Sequence, residues 1–445
     1  MGAHVELNGV RLGTATDQFL RYTFDVGHLL RPSGNQLRLI FEISAIDTGG
    51  RFMTATGGYD WAPWATTWKV SPSVNDSVSG GFGGGAQATF SFGCWKSVYV
   101  VSVPRASAAI TAVTTETFYS GDYPTAPLTD ATHAGFELRL TVQLRAATRL
   151  LAGSTMLSAS ASFGNASQTL SAVPAGVSDV TLTLVVPAGG ARLWWPAGLG
   201  AQALYNVTIE LTSATDTINT GDTAAVVPAG VRTTRQVGFR SIALVTSNDT
   251  NPTVRAASAT HDGSGGATMF LRINGAAVWS RGGNKVPMEE LEGRLDGQAH
   301  RQLVRSAADA GFTMLRVWGG GIYEPDAFYD AADEFGILVY HDLQFAVSNV
   351  DLREIVHELY NYSATYQNYS KIMRAETEFQ VKRLSHHPCI AIIDGCNECG
   401  GHGLGLQPDA DWAKHDVPIQ IAASVDASRP VWPSCPSSGW VSGGE

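Results

Sequence analysis

The strongest constraint on this chain is a change of pattern near Ala267. Before it, apolar and polar residues alternate with the period of two that half-buried strands require. After it, short apolar runs alternate with amphipathic stretches, the pattern of a parallel α/β unit. A length of 445 residues allows roughly three domains of about 150 each. Hydrophobic content of 44% against 16% charged residues provides ample core and excludes disorder over most of the chain. The predicted architecture is multidomain, β followed by α/β.

Three blocks and a linker follow from the punctuation. Residues 1–103 form a β block, with strands expected at Phe19–Val26, Gln36–Ile43 and Trp95–Val101. A Gly-rich, aromatic loop from Thr48 to Phe92 separates the last two. Residues 104–245 carry strands at Phe136–Gln143, Val180–Val186 and Ala203–Leu211 with Pro/Gly turns between, the spacing of an immunoglobulin-like β-sandwich. Residues 246–266 are small and polar, a linker. In residues 267–445, strands are expected at Ala277–Ser280, Met314–Trp318, Ile337–His341, Ile390–Ile393 and Pro430–Pro433. Helices are expected at Gly297–Ala310, Pro325–Phe335 and Ile372–Ser385. The second of these places Ala327, Phe328, Ala331 and Phe335 on the sheet-facing side, with its acids opposite. Four or five βα units fit, whereas a closed (β/α)8 barrel needs eight. The block therefore reads as the N-terminal half of a TIM barrel, and such a half is expected to be inactive and poorly stable alone.

Several function classes drop out. A net charge of -10 without a basic cluster argues against a nucleic-acid partner. No apolar run reaches the ~18 residues of a membrane span. The start, Met1–Glu6, has neither the basic head nor the apolar core of a signal peptide and reads like the middle of a strand and turn. Six of the 14 asparagines nevertheless sit in Asn-x-Ser/Thr sequons, which favours the secretory pathway, with a lysosomal or extracellular destination. Cys396-x-x-Cys399 with Cys389 lacks a fourth ligand at zinc-like spacing, so neither metal nor cofactor is expected.

The chemistry concentrates at strand ends. Asp394-Gly395-Cys396-Asn397-Glu398 follows the apolar run Cys389–Ile393, which sets a carboxylic acid beside an amide at the mouth of a sheet or barrel. Asn284, Trp318 and Asp342 follow the three preceding strands. A lone strand-end Asp or Asn more often caps a helix, but four such groups at one rim point to a site. His386-His387-Pro388 reads as a helix-to-strand turn, and Gly319-Gly320-Gly321 lacks the Lys-Ser/Thr ending of a phosphate loop.

Several strings resemble the β-mannosidase branch of glycoside hydrolase family two. They are Trp194-Trp195-Pro196 through Tyr205, Gly238-Phe239-Arg240, Arg281-Gly282-Gly283-Asn284, Arg316 through Asp330, Gly336 through Asp342, His386-His387-Pro388, and Asn397-Glu398. The resemblance runs from about Val5 onward and rests chiefly on Arg316–Glu324. It implies a jelly-roll sugar-binding domain (here partial), an immunoglobulin-like sandwich and a catalytic barrel. It further implies a retaining exo-β-mannosidase acting on oligosaccharides or glycoprotein glycans. Glu398 aligns with the general acid/base, Asn397 with the amide that binds the sugar 2-hydroxyl, and Trp318 with the subsite floor. Asp342 aligns with a nearby polar contact and Arg316 with a brace for the nucleophile. Asn284 joins the substrate-binding set, and Asp60 and Trp61 fall in a segment (Tyr59–Pro63) that resembles the family's Trp-Asp-Trp-Gly loop, whose aspartate reaches sugar hydroxyls.

Those roles fit the chemistry. A retaining glycosidase uses two carboxyl groups about 5–5.5 Å apart, one of them kept protonated by burial and by its partner's charge. Departures bear on specificity: Cys396 stands where the family usually has Asn, and Tyr59 and Ala62 vary the aspartate loop. The resemblance places the nucleophile on a seventh strand, and no residue here is assigned to it. Within the same family, an exo-β-glucosaminidase or a mannosylglycoprotein endo-β-mannosidase is the alternative. From another class, the alternative is a carbohydrate-binding protein without turnover.

Overall fold

The structure is a computed structural model and describes residues 3–41, 93–103, 107–151, 153–213, 217–218, 225–226, 230–246, 269–289, 292–345, 362–397 and 418–435. The linker expected at 246–266 lies almost wholly outside them, as do Asp60, Trp61 and Glu398.

Strands β1 (Ala3–Leu7), β2 (Val10–Ala15) and β3 (Leu37–Phe41) form an antiparallel sheet ordered β2-β1-β3. Asn8 and Gly9 join the first two with φ of 53° and 84°, the left-handed pair that a tight hairpin needs. The strand expected at Phe19–Val26 is absent. The backbone amides of Thr16 and Asp17 donate to the Tyr22 hydroxyl, and Asp17 accepts from Phe19 N at 2.7 Å. Side chain-to-backbone bonds replace the ladder there. Trp95–Val101 is not a strand either. It has no ladder partner among the described residues, and Val98, Tyr99 and Val100 are all exposed, so neither face buries its alternation.

Nine strands follow: β4 (Ala108–Tyr119), β5 (Phe136–Ala146), β6 (Thr155–Ala161), β7 (Gly164–Thr169), β8 (Gly176–Val186), β9 (Tyr205–Ser213), the short pair β10 (Thr217–Ile218) and β11 (Ala225–Val226), and β12 (Gly230–Val237). Sheets β4-β5-β8 and β12-β9-β6-β7 enclose one apolar core. β5 shows why. Its Phe136, Leu138, Leu140, Val142 and Leu144 are fully buried, while the residues between them are half-buried, the two-residue period of a strand with one dry face.

A small antiparallel sheet, β13 (Ile242–Val245), β14 (Phe270–Ile273) and β15 (Ala276–Val278), leads into the last block. The segment expected as the first parallel strand, Ala277–Ser280, therefore contributes its first two residues to a hairpin and is not part of the parallel sheet. Asn274 and Gly275, at φ 48° and 82°, turn the chain back on β14. The parallel sheet comprises β16 (Gly282–Lys285), β17 (Met314–Val317), β18 (Leu338–Asp342), β19 (Ile390–Asp394) and β20 (Val431–Trp432), adjacent in chain order. Helices α1 (Gly297–Asp309), α2 (Asp326–Phe335) and α3 (Tyr362–Leu384) connect them. Asp296 caps α1 by accepting from Gln298 N and Ala299 N. On α2 one acid departs from the expected outward face. Asp333 is buried because it pairs with His387 Nδ1 at 2.6 Å and accepts from Cys389 N at 2.9 Å.

The sandwich and the α/β block share a seam. Trp194 Nε1 donates to Asp333 O at 2.9 Å, and Arg240 Nη2 to Ile390 O at 2.8 Å. A Cβ at Gly238 would come within 2.8 Å of Pro388. The strings at 194–196 and 238–240 thus act in docking.

Candidate active site

Register assembles the site. Asn284, Arg316 and Tyr340 are ladder partners across β16, β17 and β18. Two residues further on the same face, Asp342 closes β18 opposite Asp394, which closes β19. Asn284 and Asp342 thus lie within their strands, not after them as the sequence reading had it. Trp318 directly follows β17 as expected.

Arg316 ties these elements together. Its Nε and Nη2 donate to the two Asp342 oxygens at 3.0 and 2.6 Å, a bidentate fork. Nη2 also reaches Asn397 Oδ1 at 2.8 Å, and Nη1 reaches Asn284 Oδ1 at 3.2 Å. The main-chain amide of Gly319 adds a 2.9 Å bond to Asp342 Oδ2. That approach needs glycine, since a Cβ there would lie 2.8 Å from Phe345 O and 3.0 Å from Leu343 O. At Gly320 a Cβ would strike the Trp318 indole, so the glycine run gives the ring its seat. Four of the predicted residues, Asn284, Arg316, Asp342 and Asn397, therefore meet directly. Trp318 is half-buried beside them.

Sequence reasoning missed Asp394 and Tyr340 as members of this cluster. The Tyr340 hydroxyl is bonded to Asp394 Oδ2, and Asp394 Oδ1 accepts from Cys396 N at 3.0 Å. An acid at the last position of an otherwise apolar buried strand was the available signal. Burial pushes the Asp342 carboxyl up to about 6, against the pull of Arg316 and the Gly319 amide. Burial, then the charge of Asp342, pushes Asp394 well above the usual carboxylate range.

A second polar cluster braces the loop after Trp318 from the helix side of the sheet. Glu324 pairs with Lys285 Nζ and lies 3.3 Å from His300 Nδ1. Burial works to raise its carboxyl, but Lys285 and the interaction with His300 together outweigh burial and hold it below the ordinary value. Tyr329 accepts from Glu324 N at 3.2 Å and bonds His341 Nε2 at 2.7 Å. Among the described residues no group of acids, histidines and cysteines has the arrangement of a metal site.

Residues 1–71 match the family described as "Glycosyl hydrolase 2 galactose-binding domain-like". The chain is 31% identical over 220 residues to "Beta-mannosidase A" of Emericella nidulans, covering 49% of this chain and 20% of that protein. It is 26% identical over 472 residues to "Beta-mannosidase B" of Thermothelomyces thermophilus, covering 99% of this chain and 46% of that one. The chain thus spans less than half the length of these relatives. Its fold is similar to the crystal structure of a β-D-mannosidase from Dictyoglomus thermophilum, with a TM-score of 0.68 at 22% identity, over 98% of this chain and 47% of the other.

Proposed function

We propose that this chain, which belongs to the β-mannosidase branch of glycoside hydrolase family two, supplies the sugar-holding and proton-donating groups of a retaining exo-β-mannosidase. The observation that carries this reading is the Arg316 clamp, which orients Asn397 immediately before Glu398. With its Oδ1 turned to Arg316, the Asn397 amide has a fixed orientation in which Nδ2 is the donor end. That donor serves the sugar 2-hydroxyl, whose hydrogen bonds strengthen in the transition state. Glu398 protonates the leaving glycosidic oxygen and afterwards takes a proton from water. Trp318 offers an aromatic face to the C–H side of the pyranose. Asp342, wholly buried with both oxygens engaged, acts through Arg316 as a positioning residue. No nucleophile is assigned.

The finer fold assignments belong to the same reading. The parallel sheet is part of a (β/α)8 barrel, β4 to β12 an immunoglobulin-like sandwich, and residues 1–103 part of a jelly roll. A secretory or lysosomal setting agrees with sequon residues Asn165 and Asn206, which are exposed.

The test is binding first. Calorimetry with aryl β-mannoside, β-glucosaminide and β-galactoside is expected to rank the mannoside tightest, with affinity lost in Trp318→Ala. Azide, supplied as the anion that attacks the anomeric carbon, is then expected to release the aryl alcohol and form the α-glycosyl azide. Glu398→Gln should keep the affinity and lose at least about a hundredfold of that release. Equal affinity for all three glycosides, or release indifferent to Glu398→Gln, overturns the reading.

A further inference from the structure

Two carboxyl groups stand side by side on one face of the sheet, and both are fully buried. Asp342 and Asp394 are ladder partners with no exposed side-chain surface. Among the described residues one guanidinium serves this face, and its fork is committed to Asp342 and Asn397. Asp394 is met instead by the Tyr340 hydroxyl on one oxygen and the Cys396 amide on the other. The groups acting on the pair are Arg316 from β17, Tyr340 from β18 and, after β20, the Cys435 thiol near Arg316 and Tyr340. Among the described residues, two buried acids beside one partly buried cation leave one negative charge without compensation unless a proton is retained.

We propose that Asp394 works as a neutral carboxylic acid that positions the strand end, sharing a proton with Tyr340 while its other oxygen fixes the Cys396 turn that delivers Asn397. The assignment of the proton follows from the partners. Asp342 has a bidentate guanidinium and a backbone amide, all of which favour its anion. Asp394 has a hydroxyl that can either donate or accept, so it loses little by staying neutral. The direction of both carboxyl shifts agrees. Asp342 ionises near pH 6 and its charge then holds the proton on Asp394. The backbone consequence is local. The Asp394 to Cys396 bond spans two residues, the turn geometry by which an aspartate fixes the chain that follows it. Asn397 N then donates to Phe345 O at 2.9 Å, so the turn sets where the amide side chain meets Arg316. What Asn397 and Glu398 do there rests on the glycoside hydrolase reading. The protonation state does not.

An asparagine has the shape of a neutral aspartic acid, with one acceptor oxygen and one donor. The experiment therefore compares Asp394→Asn, Asp394→Ala and Asp342→Asn, each checked for native circular dichroism. In the sugar-free chain, carbon-13 spectra of labelled aspartate are expected to show one carboxyl titrating near pH 6 and another well above it. Asp394→Asn removes the upper step and leaves the one near 6, while Asp342→Asn moves the upper step down. Aryl β-mannoside affinity is expected to fall at least tenfold in Asp394→Ala. Asp394→Asn is expected to restore most of it and to remove the loss of affinity expected of the wild type at alkaline pH. If both carboxyls titrate near the ordinary value of about 4, or if Asp394→Asn binds as poorly as Asp394→Ala, Asp394 acts as an anion and the proposal is wrong. If the upper titration is present but no glycoside binds, the protonation state stands and the functional reading fails.

Discussion

Replacing Arg316 by Met should destabilise the α/β block in a manner that depends on pH. The aliphatic stem is retained, but Asp342 loses two bonds of 3.0 and 2.6 Å and keeps only the Gly319 amide. Its carboxyl is wholly buried. Removing one partner of a buried pair costs about 3–5 kcal/mol, because the remaining charge is stranded. That figure applies only where Asp342 is ionised. In the wild type its carboxyl already sits at about 6, above the roughly 4 of an unfolded aspartate. The shift is upward, so the folded state binds the extra proton and stability falls as pH rises between these values. Loss of the guanidinium raises the folded value further and carries that decline to higher pH. At pH 4 Asp342 is neutral when folded in either protein, so no charge is stranded; its own lost bonds then count for little, as a protonated carboxyl is a weak acceptor, and the main loss is the bonds to Asn397 and Asn284, at about 1 kcal/mol each. The expected cost of Arg316→Met is thus about 1–2 kcal/mol at pH 4 and about 3–5 kcal/mol at pH 8. Urea unfolding followed by helical circular dichroism measures it, since α1, α2 and α3 all lie in this block. A cost below about 1 kcal/mol at both pH values, or one that does not change between them, would refute the assignment of Asp342 as a buried anion held by Arg316.

Gly319→Ala should cost about 1–3 kcal/mol, because its Cβ meets two backbone carbonyls that cannot swing away. It should also weaken mannoside binding more than Gly283→Ala, where the added carbon meets only Phe312 at 3.9 Å; parallel melts and titrations check both. Trp194→Phe removes the indole bond to Asp333 O at the seam, at about 1–3 kcal/mol. Calorimetry should then show the sandwich and the α/β block melting further apart, and a single unchanged transition would count against the seam as their coupling.

Much of this fold is legible because burial imposes a period. The strands at 136–146 and 176–186 alternate in sequence and in burial alike. β19 is a near-continuous apolar run because packing covers both its faces, and β18 opens on the apolar pair Leu338-Val339 for the same reason. β16 was not legible. Gly282-Gly283-Asn284-Lys285 has no apolar residue, and it is a strand only because β17 pairs with it. Gly282 serves that pairing, since a Cβ there would collide with Met314 O. The sequence reading took Ala277–Ser280 instead, which has the apolar content but lies beyond an Asn-Gly turn that reverses the chain. At Phe19–Val26 alternation was present, but Tyr22 and Asp17 captured the amides first. Asp333 was assigned to solvent by helical period, and only the distant His387 and Cys389 explain why it turns inward.

The site shows the same divide between what is local and what is shared. Strand ends can be read from sequence, which is why Trp318, Asn284, Asp342 and Asn397 could be placed within about three residues of the strand boundaries. The level of each side chain on the sheet cannot be read, because it depends on register between strands. Register places Asn284, Arg316 and Tyr340 in one row and Asp342 with Asp394 in the next. Arg316 is long enough to reach across its own row to Asn284, up to Asp342 and out to Asn397. Counting charge along the strands separately gives an ordinary mixture. Counting it on the assembled face gives, among the described residues, one partly buried cation against two buried acids, and that imbalance is what the proposed proton on Asp394 would relieve. A conservative exchange such as Asp394→Asn is expected to be mild in this setting, whereas Asp342→Asn removes the carboxylate that Arg316 pairs with among the described residues.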